Sequence, residues 1–226
     1  GTSVFASLDI SGDIDVDGTT NLDVVDVDGA VNFAADVTFA DGADIITASA
    51  GTSNFRAGVN AGNSIASGGN YNTVVGDEAG TAITTGDNST FVGYAAGDAI
   101  TTANSNTAVG ASALSATTTG ASNTAVGKSA LLGNTTGTLN AALGVQALAS
   151  NTTGANNTSV GVNSLYTATT ASNNTAVGYS ALLANTTASD NTAVGHSALT
   201  ANTTGPNNVA VGTSALAANT TGGYNA

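Results

Sequence analysis

The stretch NTAVGYSALLANTTASD, residues 174–190, is one copy of a 17-residue unit that repeats nine times from residue 72 onward. Counting Asn174 as position one, the glycine at position five recurs in every copy without a shift in phase. These glycines are Gly76, Gly93, Gly110, Gly127, Gly144, Gly161, Gly178, Gly195 and Gly212. Because no copy carries an insertion or a deletion, we expect each one to stack on the last as a coil of a solenoid.

The composition favours thin, closely stacked β layers over a thick globular core. Charged residues make up 8% of the chain and aromatic residues 4%, and Cys, Met and Trp are absent. A typical soluble protein has about 25% charged residues. The mean hydropathy is +0.16, which is too apolar for a disordered chain. We therefore predict an all-β protein, a parallel β-solenoid of 17-residue coils.

Two apolar columns are expected to fill the interior of the coils. Position four is Val in eight copies, including Val109, Val126, Val177 and Val194. Position nine is Leu in seven copies, including Leu114, Leu131, Leu182 and Leu199. Positions three and eight are mostly Ala, and we expect these small residues to form a second apolar face on which another copy of the chain packs. Each coil should contain two short strands, with glycine at both corners because the corners need positive φ.

Three zones divide the chain. Residues 1–46 are an acidic, β-rich segment with a looser repeat, and residues 47–70 are a Gly/Ser/Asn-rich transition in which residues 54–58 resemble a degenerate first copy. Residues 71–226 are the array, which stops at the start of a tenth copy. Since no polar cap follows, we expect either a longer native chain or another subunit over this end.

Asparagine and threonine columns run along the array. Position one is Asn in eight of nine copies, and positions thirteen and fourteen are Thr in all nine. Stacked amides and hydroxyls can bond from one layer to the next, so these columns are expected to hold the corners together. The alternative is that the threonines bind ice or another regular surface. Their adjacency argues against it, because neighbouring side chains on a strand point to opposite faces.

Few residues suit catalysis or metal binding, and we predict no enzyme, no catalytic residue and no cofactor. Asp13, Asp15 and Asp17 alternate like the first ligands of a calcium loop, but helical flanks are missing and the twelfth loop position is Val24 instead of Glu, which favours a solvated acidic strand face over a cation site. The one histidine, His196, occupies the variable position six and is expected on the surface. The paired acids Asp77 and Glu78 are expected to be solvated. Tyr94, Tyr166 and Tyr179 are either incidental surface residues or a sparse stripe for sugars.

The net charge of the chain limits the classes of molecule that it can bind by electrostatic attraction. The chain carries a charge of −13, with Arg56 and Lys128 as its only fixed cations. This charge excludes electrostatic capture of nucleic acid or of anionic lipid. No apolar run approaches the length of a membrane-spanning helix, so we expect no membrane insertion.

Residues 174–182 and 185–187 resemble the repeats of phage tail-fibre proteins, and they are similar to the N-S-V-A-I-G repeats of trimeric autotransporter adhesin heads. Residues 8–18 and 21–29 resemble segments common in fibres of marine viruses. The resemblance implies a homotrimeric, left-handed parallel β-roll, located in a virion appendage and serving host attachment. Its partners would be fibre or virion subunits at the ends and a host cell-surface glycan or protein. A bacterial surface adhesin or extracellular filament is the alternative, although the 17-residue period exceeds that of adhesin heads.

Overall fold

The computed structural model describes residues 49–226, which form a parallel β-solenoid with a 17-residue repeat. No helix is present among these residues. Ten strands pair in parallel in the order of the chain, so the predicted all-β parallel β-solenoid is confirmed. The strands are β1 (Phe55–Ala57), β2 (Thr73–Val75), β3 (Thr90–Val92), β4 (Thr107–Val109), β5 (Thr124–Val126), β6 (Ala141–Leu143), β7 (Thr158–Val160), β8 (Thr175–Val177), β9 (Thr192–Val194) and β10 (Val209–Val211).

Each coil contains one strand, and the second strand expected in every coil is not formed. The strand covers positions two to four, and the rest of the coil is turns. In the β8 coil Ser180 has a φ of 53° and Leu182 a φ of 52°, and the same two positions are left-handed in the other copies. Left-handed residues cannot continue an extended strand. The S-A-L segment therefore bends the chain, while Leu182 N still donates to Ala198 O of the next coil at 3.0 Å.

The alanine columns face inward and the valine column faces outward, which reverses the expected arrangement. Ala176 and Ala193, at position three, are completely buried. Alternation along a strand then sends positions two and four to the outer side. The expectation that the position-four residues Val109, Val126, Val177 and Val194 fill the interior is therefore wrong; Val126 is 38% exposed.

The position-nine leucines fill the interior as expected. Leu114, Leu131, Leu182 and Leu199 are all fully buried. Because positions three and eight also point inward, the alanines cannot form the surface on which another copy packs. Position four instead supplies a regular column of partly exposed apolar side chains, including Val126 and Leu143.

The interior keeps its volume when individual residues change. In the β3 coil Phe91 replaces the usual alanine at position three, and Gly97 replaces the usual leucine at position nine. A Cβ on Gly97 would lie 2.9 Å from the Phe91 ring, and one on Gly80 would lie 3.0 Å from the same ring. The glycines at position nine of the first two copies thus make room for Phe91. Close packing requires this compensation, since the coil cannot widen without breaking its register.

A further coil precedes the nine strict copies. β1 pairs with β2 in the register Phe55↔Thr73, so this coil is one residue longer than the others. Ala66 N donates to Thr84 O, 18 residues away, whereas Asn70 N donates to Asp87 Oδ1, 17 residues away. The extra residue therefore lies between Ala66 and Asn70, where Gly68 has a φ of 106°. A glycine turn absorbs it without disturbing the sheet.

The two glycine corners have different physical causes. At position five φ lies near 130°, for example 138° at Gly144, so this corner needs glycine as expected. At position fifteen no positive φ is found, and the expectation of one there is wrong. Glycine is favoured at position fifteen because successive coils stack closely there: a Cβ on Gly154 would lie 2.1 Å from Ala171 O. Alanine nevertheless occurs at this position in three coils, as at Ala171 and Ala188.

We expect Gly144→Val to destabilise the rod by more than about 2 kcal/mol, because a side chain there combines backbone strain with a clash. Its Cβ would lie 2.6 Å from the carbonyl carbon and oxygen of Gly161. Thermal unfolding followed by circular dichroism measures the effect. Gly133→Ala is the matched control, since alanine already occupies position eleven at Ala116 and Ala184. Equal melting of Gly144→Val and the parent would disprove the corner assignment.

Candidate binding surfaces

The asparagines at position one form a continuous buried ladder inside the solenoid. Asn140 Oδ1 accepts from the backbone N–H of Asn157 at 3.0 Å and from Asn157 Nδ2 at 3.1 Å. Asn140 Nδ2 donates to Gly154 O at 2.8 Å. Ser89 replaces Asn once, and its Oγ accepts from Asn106 N at 3.2 Å. This column connects successive coils and is not available to a ligand, as expected of a structural ladder.

We expect Asn140→Ala to cost about 2 kcal/mol, because it leaves the buried Asn157 N–H without its acceptor and removes one of the two amide donors to the Gly154 carbonyl. Asn140→Ser should cost about half as much, since a serine hydroxyl can replace the lost acceptor, as Ser89 does. Urea unfolding measures both variants. If the serine variant were no more stable than the alanine variant, the acceptor would not be the stabilising group.

A second amide ladder, at position twelve, was not foreseen from the sequence. Asn134, Asn151, Asn185 and Asn202 are fully buried, and Asn151 Nδ2 donates to Asn134 Oδ1 at 2.7 Å. Ala168 interrupts the column, and Asn151 Oδ1 is left without a hydrogen-bond partner. Each of these asparagines begins an Asn-Thr-Thr triplet that fits the N-glycosylation pattern. Their burial makes the side-chain nitrogens inaccessible to a glycan in the folded rod.

The paired threonines take different roles. The hydroxyl at position thirteen bonds to the next coil, as in Thr135 Oγ1 to Thr152 O at 2.9 Å and Thr152 Oγ1 to Thr169 O at 3.0 Å. The threonine at position fourteen is exposed in all nine copies, for example Thr136 and Thr153. Its hydroxyl has no hydrogen-bond partner in the described part of the chain. The first column is therefore structural, and the second is a free hydroxyl column on the surface.

The outer side of the sheet is the other regular surface. We call it the strand face, defined as positions two and four of the nine strict copies. Position two is Thr in seven copies and position four is Val in eight, and no residue of the face is charged. Leu143 is 41% exposed and Val211 is 70% exposed. Alternation along T-A-V requires that position three face away from positions two and four, and the sequence analysis assigned the two sides the wrong way round.

The aromatic residues do not form one sugar-binding stripe. Tyr94, Tyr179 and His196 share position six, but Tyr94 lies five coils away from Tyr179, and Tyr166 occupies another column. The Tyr179 and His196 rings stack with centroids 5.2 Å apart. This contact was missed, although their separation of one repeat could have predicted it. Both side chains are exposed, so His196 lies on the surface as expected.

Acidic groups do not converge on a metal site within residues 49–226. No three His, Cys, Asp or Glu side chains among them are arranged to hold an ion. Asp13, Asp15 and Asp17, the candidate cation ligands, lie outside the described residues, as does the 1–46 segment. Glu78 Oε1 accepts from Asn60 Nδ2 at 3.0 Å, so this acid is engaged in a contact between coils.

The surroundings of Asp98 shift the ionisation of its carboxyl. Burial raises the pKa of its carboxyl, and the charge of Glu78 raises that pKa further. Asp98 Oδ1 has no hydrogen-bond partner. Because the fold disfavours the charged form, the folded state binds a proton more readily than the unfolded chain does. The stability that Asp98 contributes is therefore fully present below the pKa of this carboxyl in the unfolded chain. It is lost as the pH rises through the higher pKa that the carboxyl has in the folded state.

We expect Asp98→Asn to stabilise the rod at pH 7 relative to the parent, and to lose this advantage near pH 3, where Asp98 is protonated in both states. Urea midpoints at the two pH values measure the difference. Asp77→Asn removes the same charge from an exposed side chain and serves as the control for net charge. An advantage of Asp98→Asn that is equal at both pH values would contradict this prediction.

The chain matches no protein-family model, and no curated protein or solved structure is significantly similar to it. Among the described residues no helix has the length and apolar character needed to cross a membrane.

Proposed function

We propose that this chain is a non-enzymatic structural rod. The observation that carries the proposal is the unbroken parallel register from β1 to β10, in which each strand pairs only with its neighbours in the chain. Nine steps of about 4.8 Å between strands give an array about 43 Å long. Such a body holds its ends apart, and it repeats the same few side chains at each level instead of gathering different ones into a pocket.

The context we propose is a viral tail fibre or a comparable appendage that serves host attachment. The resemblance of residues 174–182 and 185–187 to tail-fibre repeats supports this context. The same resemblance implies that the rod is left-handed, homotrimeric and located in the virion. Other fibre or virion subunits would bind its ends, and a host glycan or protein would be the target of attachment. A bacterial surface adhesin or an extracellular filament would use the same module.

The rod is tested by removing residues 123–173, which are three whole coils and leave the repeat phase intact. We expect a folded protein shortened by about 14 Å, because each coil contributes about 4.8 Å. Small-angle scattering measures the length, and circular dichroism reports the folding. A deletion of residues 123–165 breaks the phase and is the control that should unfold or aggregate. Equal tolerance of both deletions would overturn the stacked rod.

The cellular context is tested separately by immunogold labelling with an antibody against this chain. Labels on virion appendages would support the fibre proposal, and labels confined to bacterial surfaces would favour the adhesin alternative. Labels confined to the cell interior would contradict both.

Ice or regular-surface binding is a second candidate function, favoured by the free hydroxyls at position fourteen. Positions six, ten and seventeen vary widely, yet position fourteen is Thr in all nine copies, including Thr136, Thr153 and Thr170. Changing these three to Val keeps the shape and removes the hydroxyls. Inhibition of ice recrystallisation by the parent, lost in the triple variant, would support the function. No inhibition by the parent at micromolar concentration would exclude it.

A further inference from the structure

We infer that the β7 coil binds one water molecule beside Ala168, where the water takes the place of a side-chain amide that the neighbouring coils supply. This site lies in the interior of the rod and goes beyond the proposed function, which makes no use of it. Position twelve of the β7 coil is Ala168, whereas the coils on either side carry Asn151 and Asn185. All three residues are fully buried, so bulk solvent reaches none of them.

A position-twelve asparagine with asparagines above and below it makes three side-chain hydrogen bonds, as Asn202 shows. Its Nδ2 donates to Asn185 Oδ1 of the preceding coil at 3.4 Å and to Gly205 O of its own coil at 2.9 Å. Its Oδ1 accepts from Asn219 Nδ2 of the next coil at 3.0 Å. An asparagine at position 168 would therefore donate twice and accept once.

Three groups around Ala168 are each short of the bond that such an amide would make. Asn151 Oδ1 is buried and has no hydrogen-bond partner among the described residues. Ala171 O accepts from one side-chain amide, whereas Gly154 O, its equivalent in the preceding coil, accepts from two. Asn185 Nδ2 uses one N–H in the described coils, to bond the position-fifteen carbonyl of its own coil. The missing partners are thus two donors and one acceptor.

The orientation of the Asn151 amide is fixed by its partners. Its Nδ2 donates to Asn134 Oδ1 and to Gly154 O, and turning the amide over would place its oxygen against these two acceptors. Its Oδ1 is therefore directed toward Ala168, the next residue of the column. Asn185, two layers or about 9.6 Å along the column, is too far away to bond this oxygen directly.

The coils do not close around the smaller side chain of Ala168. Thr152 N donates to Thr169 O at 2.8 Å, and Thr169 N donates to Thr186 O at 2.9 Å. The layers on both sides of Ala168 therefore keep the spacing that they have elsewhere in the rod. Asparagine exceeds alanine by a carboxamide group, which is larger than a water molecule, so one water fits between unshifted coils.

The geometry of the ladder shows that one molecule can reach both acceptors. Asn202 Nδ2 is a single atom, and it bonds the equivalents of Asn151 Oδ1 and Ala171 O at the same time. A water oxygen at the place of the missing amide nitrogen can likewise donate to both. The Thr167 hydroxyl does not supply this donor, because it already donates to Leu183 O at 2.8 Å.

The surroundings select water over a cation. Two acceptors require a ligand that donates twice, and water does so while its own oxygen faces the second N–H of Asn185. A cation in this place would be buried without a counter-charge and would meet that N–H, which is also positively polarised. The ligand is therefore a small, uncharged molecule with two donors and an acceptor.

The first test counts internal waters by magnetic relaxation dispersion of the solvent oxygen-17 signal. Ala168→Asn should lower the number of long-lived waters per chain by one, because the carboxamide displaces the water and makes its bonds. Thr117→Asn is the matched control and should leave the number unchanged. Thr117 already fills position twelve of the β4 coil, where its Oγ1 accepts from Asn134 Nδ2 at 3.2 Å. An unchanged count in Ala168→Asn, or the same loss in both variants, would overturn the inference.

A crystal structure of the parent protein remains informative if a variant fails to fold. Electron density for a water should lie within about 3 Å of both Asn151 Oδ1 and Ala171 O. Neighbouring side chains packed into this place, with no ordered water, would refute the site. The coil-deletion and immunogold experiments report on the rod and its context independently of this water, so failure of either proposal is distinguishable from failure of the other.

Discussion

The hydrogen bond from each coil to the buried asparagine of the preceding coil is the interaction on which the rest of this structure depends. Asn157 N donates to Asn140 Oδ1, and the same bond recurs along the column. It lies inside the coil, where an unpaired amide is costly. The bond therefore fixes the distance and the register between layers. Any residue added to a coil must leave this contact in place, as the turn at Gly68 does in the first coil.

A fixed register makes the core thin and restricts its composition. Position three faces the interior between two corners, and alanine fits there without widening the coil. A larger residue enters only when another becomes smaller, as Phe91 and Gly97 show. Leucine at position nine fills the remaining space, even though it adopts a left-handed conformation, with a φ of 52° at Leu148. Burial of this side chain offsets the backbone strain.

The same regularity governs what the surface can do. Stacking places identical groups above one another, so the protein presents columns such as the free hydroxyls at position fourteen and the strand face. Tyr179 and His196 stack because they are one repeat apart, whereas Tyr94 and Tyr166 remain separate. Columns of repeated groups suit contacts with an equally regular partner.

The sequence by itself determined the solenoid, its 17-residue pitch, the position-five corner and the inward leucines, because period and glycine placement are properties of the chain alone. Only the tertiary structure decided which side chains of the T-A-V strand face the interior and which face outward. Alternation requires that Ala176 and Val177 point to opposite sides, but it does not say which one is inside. That choice depends on how Ser180 and Leu182 turn the chain back across the sheet. With a leucine already filling the narrow interior, the smaller alanine packs inside and the valine is left on the outer face.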